Sequence, residues 1–394
     1  MKILHLINYF NDNLDYQENR LINLQKINGH KVNLITSDRF FPFKDYDLLY
    51  KKTLGSRIVG SKEYLYKDVS IKRKKVFFEN KKHAQCFFFN ILDVIKLNPD
   101  IIHIHNCGTY TFISTLIYSF FLKKKVFVDC HQDKNNTKNS FLNKVHNYIW
   151  KIIYGIFSST IFCFLPINQD SKKFIKDNFN IRDENITILP LGFEKCNKHE
   201  TSYKKKLQFF TFFKNNREKD LVIINSGKQD YSKKIHRLIE FVEILNKKKI
   251  NCKLLLIGNS SQEYKNFLKN KIAKTHRVIG QNKILQLPFQ DKKSLRYFLT
   301  LSDVAIWPGI PSITIQESLF FNNILMLPMD SASSNLLTSK FLIFHNDLNK
   351  TANNLIKVIK SKKILESIRI KNKYVLKKLT WKKINYDLEK IYEK

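Results

Sequence analysis

Glycine and proline are scarce in this chain of 394 residues, at 10 and 8. A β architecture of many short strands, which needs a turn about every ten residues, is therefore excluded. Acidic residues are few as well, 34 against 69 lysines and arginines, for a formal net charge of +35. The six cysteines (Cys86, Cys107, Cys130, Cys163, Cys196 and Cys252) contain no C-x-x-C pair. They read as reduced, mostly buried thiols, without a zinc site or a disulfide framework. Long apolar runs are missing too. The most apolar stretch, Ile152 to Pro166, is too short to span a bilayer and is broken by glycine and serine. The opening Met1–Asn8 runs straight into a strand pattern, which reads as an intracellular chain without a signal peptide. No G-x-G-x-x-G, H-E-x-x-H, G-x-S-x-G or RNA-binding aromatic motif occurs.

What is present is the balance of a globular protein, 43% hydrophobic and 26% charged, long enough for two or three domains. Coding bias accounts for abundant Lys, Asn, Ile and Phe together, but it would lift Glu as well. The basic excess therefore leaves open an anionic partner: phosphates, membrane lipid or nucleic acid. Strand-like runs alternate with amphipathic runs throughout, the pattern of parallel α/β sheets. In the first half the expected strands are Lys2–Asn8, Lys31–Thr36, Asp100–His105, Lys125–Cys130 and Thr160–Leu165. A helix with Leu14, Leu21 and Leu24 on one face should stop at Gly29, and residues 39–80 should hold a hairpin. In the second half the expected strands are Leu221–Asn225, Lys253–Ile257, Ile284–Leu287, Val304–Trp307, Ile324–Leu327 and Phe341–Phe344. The basic stretch after Phe193 reads as a hinge, and a last helix with Trp381, Ile384, Leu388 and Ile391 on one stripe needs a partner surface.

Two doubly wound domains in tandem place ligands on the loops that follow strands. The first such loop is Ser226-Gly227-Lys228-Gln229-Asp230-Tyr231-Ser232-Lys233-Lys234. Its glycine turn, its lysines and the helix start behind it suit a diphosphate, although lysines there oppose the helix dipole and need compensation. The alternative is a solvated loop. The second loop, Pro308-Gly309-Ile310-Pro311-Ser312-Ile313-Thr314, leads into a helix carrying Glu317. It suits phosphate or sugar hydroxyls, but Thr314-Ile315-Gln316-Glu317 also reads as a capping box. Strand-terminal His103, His105 and His131 can each bond a substrate hydroxyl or serve the core. The D-x-D at Asp45-Tyr46-Asp47 lies in an aromatic segment with no strand leading in, and reads as surface loop rather than metal site.

Taken in order, these segments resemble the family 4 glycosyltransferases of the GT-B fold. The likeness rests on Gly29-His30-Lys31-Val32, Asp100-Ile101-Ile102-His103-Ile104-His105, Ile188-Leu189-Pro190-Leu191-Gly192, Leu255-Leu256-Ile257-Gly258, Ser302-Asp303-Val304-Ala305 and the Glu317 helix. It implies α/β architecture with two Rossmann-like domains facing a cleft. It implies an acceptor-binding domain over 1–195, a donor-binding domain over 196–375 and a C-terminal helix over 376–394 that returns to the first domain. By the same likeness Lys228 and Lys233 contact the donor diphosphate, with Gly227, Gly309, Ser312 and Ile313 around it. Glu317 then holds the ribose hydroxyls and His131 faces the donor sugar. Gly309 stands eight residues before Glu317, where the family has the first of two paired glutamates, and the Trp307-Pro308-Gly309 loop resembles a subtype.

The function so implied is sugar transfer from a nucleotide-diphosphate sugar to a lipid-linked glycan in cell-surface polysaccharide biosynthesis. It retains anomeric configuration and uses no metal or cofactor, the nucleotide-sugar being a substrate. A cytoplasmic enzyme on the inner face of the membrane is expected, with an anionic membrane surface as a partner and nucleic acid not among its partners. The basic–aromatic runs Lys72–Phe78 and Phe120–Lys125 are the candidate contacts. A non-catalytic GT-B scaffold and, on charge alone, a nucleic-acid-binding protein are the alternatives.

Overall fold

The computed structural model describes residues 1–14, 16–134, 137, 140–195, 212, 220–310, 312, 314–331 and 333–394. It divides into two compact units, 1–192 with 381–394, and 193–380. The division thus falls at Gly192/Phe193 and Thr380/Trp381 rather than at 195/196 and 375/376, because the chain changes units where Gly192 meets Trp381. A Cβ on Gly192 would lie 2.6 Å from the Trp381 ring, so only glycine admits the indole there. The expected hinge after Phe193, like Cys196, lies outside the described residues from 196 onward.

The first unit contains β1 (Lys2–Leu6), β2 (Lys31–Ser37), β3 (Lys62–Tyr66), β4 (Val69–Lys74), β5 (Phe78–Asn80), β6 (Gln85–Phe87), β7 (Ile101–Ile104), β8 (Lys125–Cys130) and β9 (Ile161–Pro166). Seven of these form one sheet in the order β3-β4-β2-β1-β7-β8-β9, parallel except for β3. The expected hairpin is β3–β4, which joins the sheet edge through β2. Parallel strands are buried on both faces, hence the apolar runs of β1, β7 and β8. The helix Gln17–Ile27 stops as expected. Gly29 takes φ +86° and its N–H bonds Lys26 O, while the His30 N–H bonds Gln25 O. Leu14 is not on that helix; it packs beside the cluster of Phe40, Tyr46 and Leu54. The C-terminal helix Trp381–Glu393 buries Trp381, Ile384 and Leu388 against Ile3, Leu21 and Leu189, which supplies the stripe's partner surface.

The second unit contains β10 (Leu221–Ser226), β11 (Cys252–Ile257), β12 (Ile284–Leu287), β13 (Val304–Ile306) and β14 (Ile324–Met326). They form a parallel sheet ordered β12-β11-β10-β13-β14. The helix Ile235–Lys247 buries Ile235, Leu238, Ile239, Val242 and Leu245 on one stripe. Phe341–Phe344 is not a strand. Lys340–Leu342 forms a 3₁₀ turn, and Ile343 makes a single bridge to Leu327. The described cysteines are all free and buried.

Candidate active site

In the second unit the winding reverses between β10 and β13, and ligands favour the loops at such a reversal. Here the two candidate loops are tied together. The Trp307 indole N–H donates to Ser226 O at 2.8 Å, and Asn225 Nδ2 to Ile306 O at 2.7 Å. The Ser226 and Thr314 hydroxyls meet at 2.7 Å, and Thr314 Oγ1 donates to Ser312 Oγ at 3.2 Å. The capping box is therefore absent: the Thr314 hydroxyl is spent on the strand end and caps no N–H.

Gly227 leaves β10 with φ +129°, beside Ser312. Asp230 then caps a 3₁₀ turn, Tyr231–Lys233, by accepting from the Lys233 N–H at 3.2 Å. It also pairs with the Lys228 ammonium at 3.1 Å, so part of the compensation these lysines need is built in. Burial lowers the Lys233 pKa by more than Asp230 raises it. Gly309 lies flat on this turn. A Cβ there would stand 2.2 Å from Ser232 O, and the Ile310 N–H bonds that same oxygen at 3.2 Å. A side chain at 309 would therefore collide with the backbone of this turn. Glu317, in the helix Ile315–Phe320, points to Arg296 at 3.2 Å and Lys292 at 3.9 Å, both through Oε1. Gly227, Lys228, Lys233, Gly309 and Ser312 are thus brought together, with Glu317 on the following helix. Ile313 lies outside the described residues.

His131 belongs to the first unit, just past the end of β8, with its side chain 37% exposed and Nε2 3.9 Å from Asp129 Oδ1. Desolvation lowers its pKa by more than the Asp129 carboxylate raises it. His103 and His105 are not presented to a substrate: both are buried, as are His5 and Asp129. They form a chain. His5 Nε2 donates to Gln25 Oε1 at 2.7 Å, so its Nδ1 accepts from His105 Nε2 at 2.9 Å. His105 Nδ1 in turn donates to Asp129 Oδ2 at 2.6 Å, which makes His105 an imidazolium. Its pKa agrees: burial alone would lower it, but Asp129 outweighs burial and raises it. Asp129 is conversely held well below the usual carboxylate range, since the imidazoles outweigh its own burial. His103 Nδ1 meets the Tyr392 hydroxyl of the C-terminal helix at 2.5 Å. Three of these rings bring nitrogens within 4.8 Å of one another, yet the rings are stacked, 9° apart for His103 and His105. Stacked imidazoles point their lone pairs side by side rather than at one point, so the cluster does not fit a metal ion.

Beside it Glu18, buried in the helix Gln17–Ile27, has its pKa pushed up to about 7 by desolvation, against the pull of His105. Sequence reading missed Glu18, Arg296 and the second role of Asp230; only Asp230, three residues before Lys233, carried a local capping signal. Asp45 takes φ 57° at the start of a short helix, and the 84%-exposed Asp47 pairs with Lys51 at 4.0 Å.

Residues 208–318, which span both candidate loops, match the family model described as Glycosyl transferases group 1. No curated protein matches the chain significantly. Among solved structures, Anabaena HepE in complex with UDP is similar at 14% identity and TM-score 0.68, over 99% of each chain. Sucrose-phosphate synthase from Thermosynechococcus elongatus aligns at 10% identity and TM-score 0.69, over 100% of this chain and 98% of that one. A glycosyltransferase from Rickettsia africae ESF-5 aligns at 17% identity and TM-score 0.66, over 100% and 97%. The architecture is that of GT-B enzymes: α/β, with two Rossmann-like units. In its second unit the chain carries a glycosyltransferase domain.

Proposed function

We propose that the chain transfers a sugar from a nucleotide-diphosphate sugar, held by the second unit, to a lipid-linked glycan acceptor in cell-surface polysaccharide biosynthesis. The observation that carries the reading is the locked pair of loops at the β10/β13 reversal, which sets two lysines and a glycine turn at one sheet edge. Two of the solved structures it resembles, Anabaena HepE with UDP and the E. coli trehalose-6-phosphate protein with UDP-2-fluoro glucose, have nucleotide or nucleotide-sugar bound. Lys228 and Lys233 take up the negative charge that grows on the diphosphate as the glycosidic bond breaks, so no divalent ion is required. Glu317 Oε2 accepts from the ribose, with Arg296 fixing the carboxylate. His131 is the first unit's candidate for a sugar hydroxyl. Transfer retains configuration, the departing phosphate taking the acceptor proton on the same face. The enzyme works in the cytoplasm at the inner face of the membrane. A thermal-shift screen with UDP, GDP, ADP and CMP tests the donor side, because a ligand of the native state raises its melting temperature. Silence towards all four would remove the reading, and activity lost to EDTA and restored by manganese would remove its metal independence.

A further inference from the structure

The helix Phe141–Ile156 is apolar on two sides. Its inner stripe, with Trp150 and Tyr154, is buried in the core of the first unit. Its outer stripe recurs at three- to four-residue spacing and ends in solvent: Phe141 is 79% exposed, Leu142 67%, Tyr148 64% and Ile156 61%. A helix on the surface of a globular unit ordinarily carries polar residues on that side. The face also extends beyond the helix. Phe157 packs on Phe120 at 6.0 Å, and Phe121 and Leu122, 75% and 54% exposed, follow directly on the neighbouring helix Ile113–Phe121. Contiguous apolar surface of this kind marks an interaction site.

Charge says what covers it. Within residues 113–157 both acids, Asp129 and Asp133, are buried, whereas Lys123, Lys144 and Lys151 are exposed. The other candidate contact, Lys72–Lys75, is largely spent inside the unit: Lys72 and Lys74 each pair with Asp93 at 2.7 Å, and the buried Arg73 pairs with Asp12. A second copy of this chain would bring like-charged lysines together in a protein of net charge +35. We propose that this face lies on an anionic lipid bilayer, its apolar stripe at the headgroup boundary and its lysines on lipid phosphates. The surface deepens the proposed transferase reading by placing the first unit on the membrane that holds a lipid-linked acceptor; the docking itself requires no donor.

Flotation of the full chain with phosphatidylcholine vesicles, with and without phosphatidylglycerol, tests this. Binding is expected only with the anionic lipid and should weaken as salt rises. The variant K144E/K151E should lose about twentyfold or more in vesicle affinity. L142S/Y148S, altered only at exposed positions, should lose about tenfold. Both should keep the nucleotide thermal shift, which reports on the other unit. Vesicle binding that ignores lipid charge, or that survives both variants, overturns the proposal. So does a dimer that L142S/Y148S converts to monomer. Docking without any nucleotide response supports the surface and defeats the transferase reading; a nucleotide response without docking does the reverse.

Discussion

At the reversal of the first sheet, β1, β7, β8 and the residues that follow bury His5, His103, His105 and Asp129; His5, His105 and Asp129 are hydrogen-bonded in a chain, and His103 meets Tyr392. At the reversal of the second, the strand ends are joined by backbone, indole and hydroxyl groups, while the ionisable side chains Lys228, Asp230 and Lys233 stand on the rim. One winding has thus been filled in two ways. Charge inside must be matched by partners of the same chain, so the first site answers to pH. Charge on the rim stays within reach of solvent, where Asp230 already pairs with Lys228.

The contrast can be broken most severely at Gly309. The substitution Gly309→Glu drives a side chain into the backbone of Ser232 and Lys233. Overpacking of this kind costs roughly 1–3 kcal/mol, and the displaced loop should lose nucleotide binding altogether. Calorimetry on the folded fraction checks it; a variant that binds as well as the parent would show that the loops are not locked. Next, Lys233→Ala should lower the transfer rate about a hundredfold, or roughly 3 kcal/mol, with a smaller change in donor binding. Equal losses in both would assign Lys233 to ground-state binding alone.

In the first unit Glu18 sharpens the comparison. Its folded pKa of about 7 lies above the ordinary 4.5, so between those values the folded state holds a proton that the unfolded state has lost. Stability should therefore fall as pH rises through that window and level off above it. The raised His105 adds loss in the same sense, from its ordinary 6.5 upward. Glu18→Gln should flatten the first part of this slope and stabilise the protein by about 2–3 kcal/mol at pH 8, seen in urea melts. A slope unchanged in the variant would place the titration elsewhere. Smallest is Glu317→Ala. Arg296 keeps Glu194 at 3.7 Å, so stability should fall by only about 1–2 kcal/mol. Donor affinity should fall with little effect on turnover if Oε2 holds the ribose, and unchanged affinity takes Glu317 out of the site.

Most strands were legible because a buried parallel strand is written as a continuous apolar run. Val126-Phe127-Val128 and Leu254-Leu255-Leu256 are such runs, in β8 and β11. The same rule misled at Phe341–Phe344, where an apolar run past the sheet edge folds into a 3₁₀ turn under the core. Leu14 was misplaced because its spacing to Leu21 continues the helical period beyond the true start at Gln17. Of the site, the loops were legible from glycine and lysine order. The reason for Gly309 was not, since it lies in the backbone of Ser232, on a loop far away along the chain. Glu317 was read with a local cap as the alternative to a ligand contact, and its partner Arg296 went unseen because it is carried by a different helix, Lys292–Thr300.

The bridge between Phe193 and Thr380, closed by the Phe193 N–H on Leu379 O at 2.9 Å, brings the first and last residues of the second unit side by side. Gly192 and Trp381, the flanking residues of the first unit, are likewise in contact. In genetic terms, the second unit is a cassette set into one point of the first. Joining two such neighbouring ends costs little loop-closure entropy. Residues 193–380 could thus be cut out and 192 joined to 381 through a short linker, leaving Trp381 over Gly192 and the terminal helix in place. A different unit with equally close ends could be spliced in at the same seam without disturbing the terminal helix on the first unit.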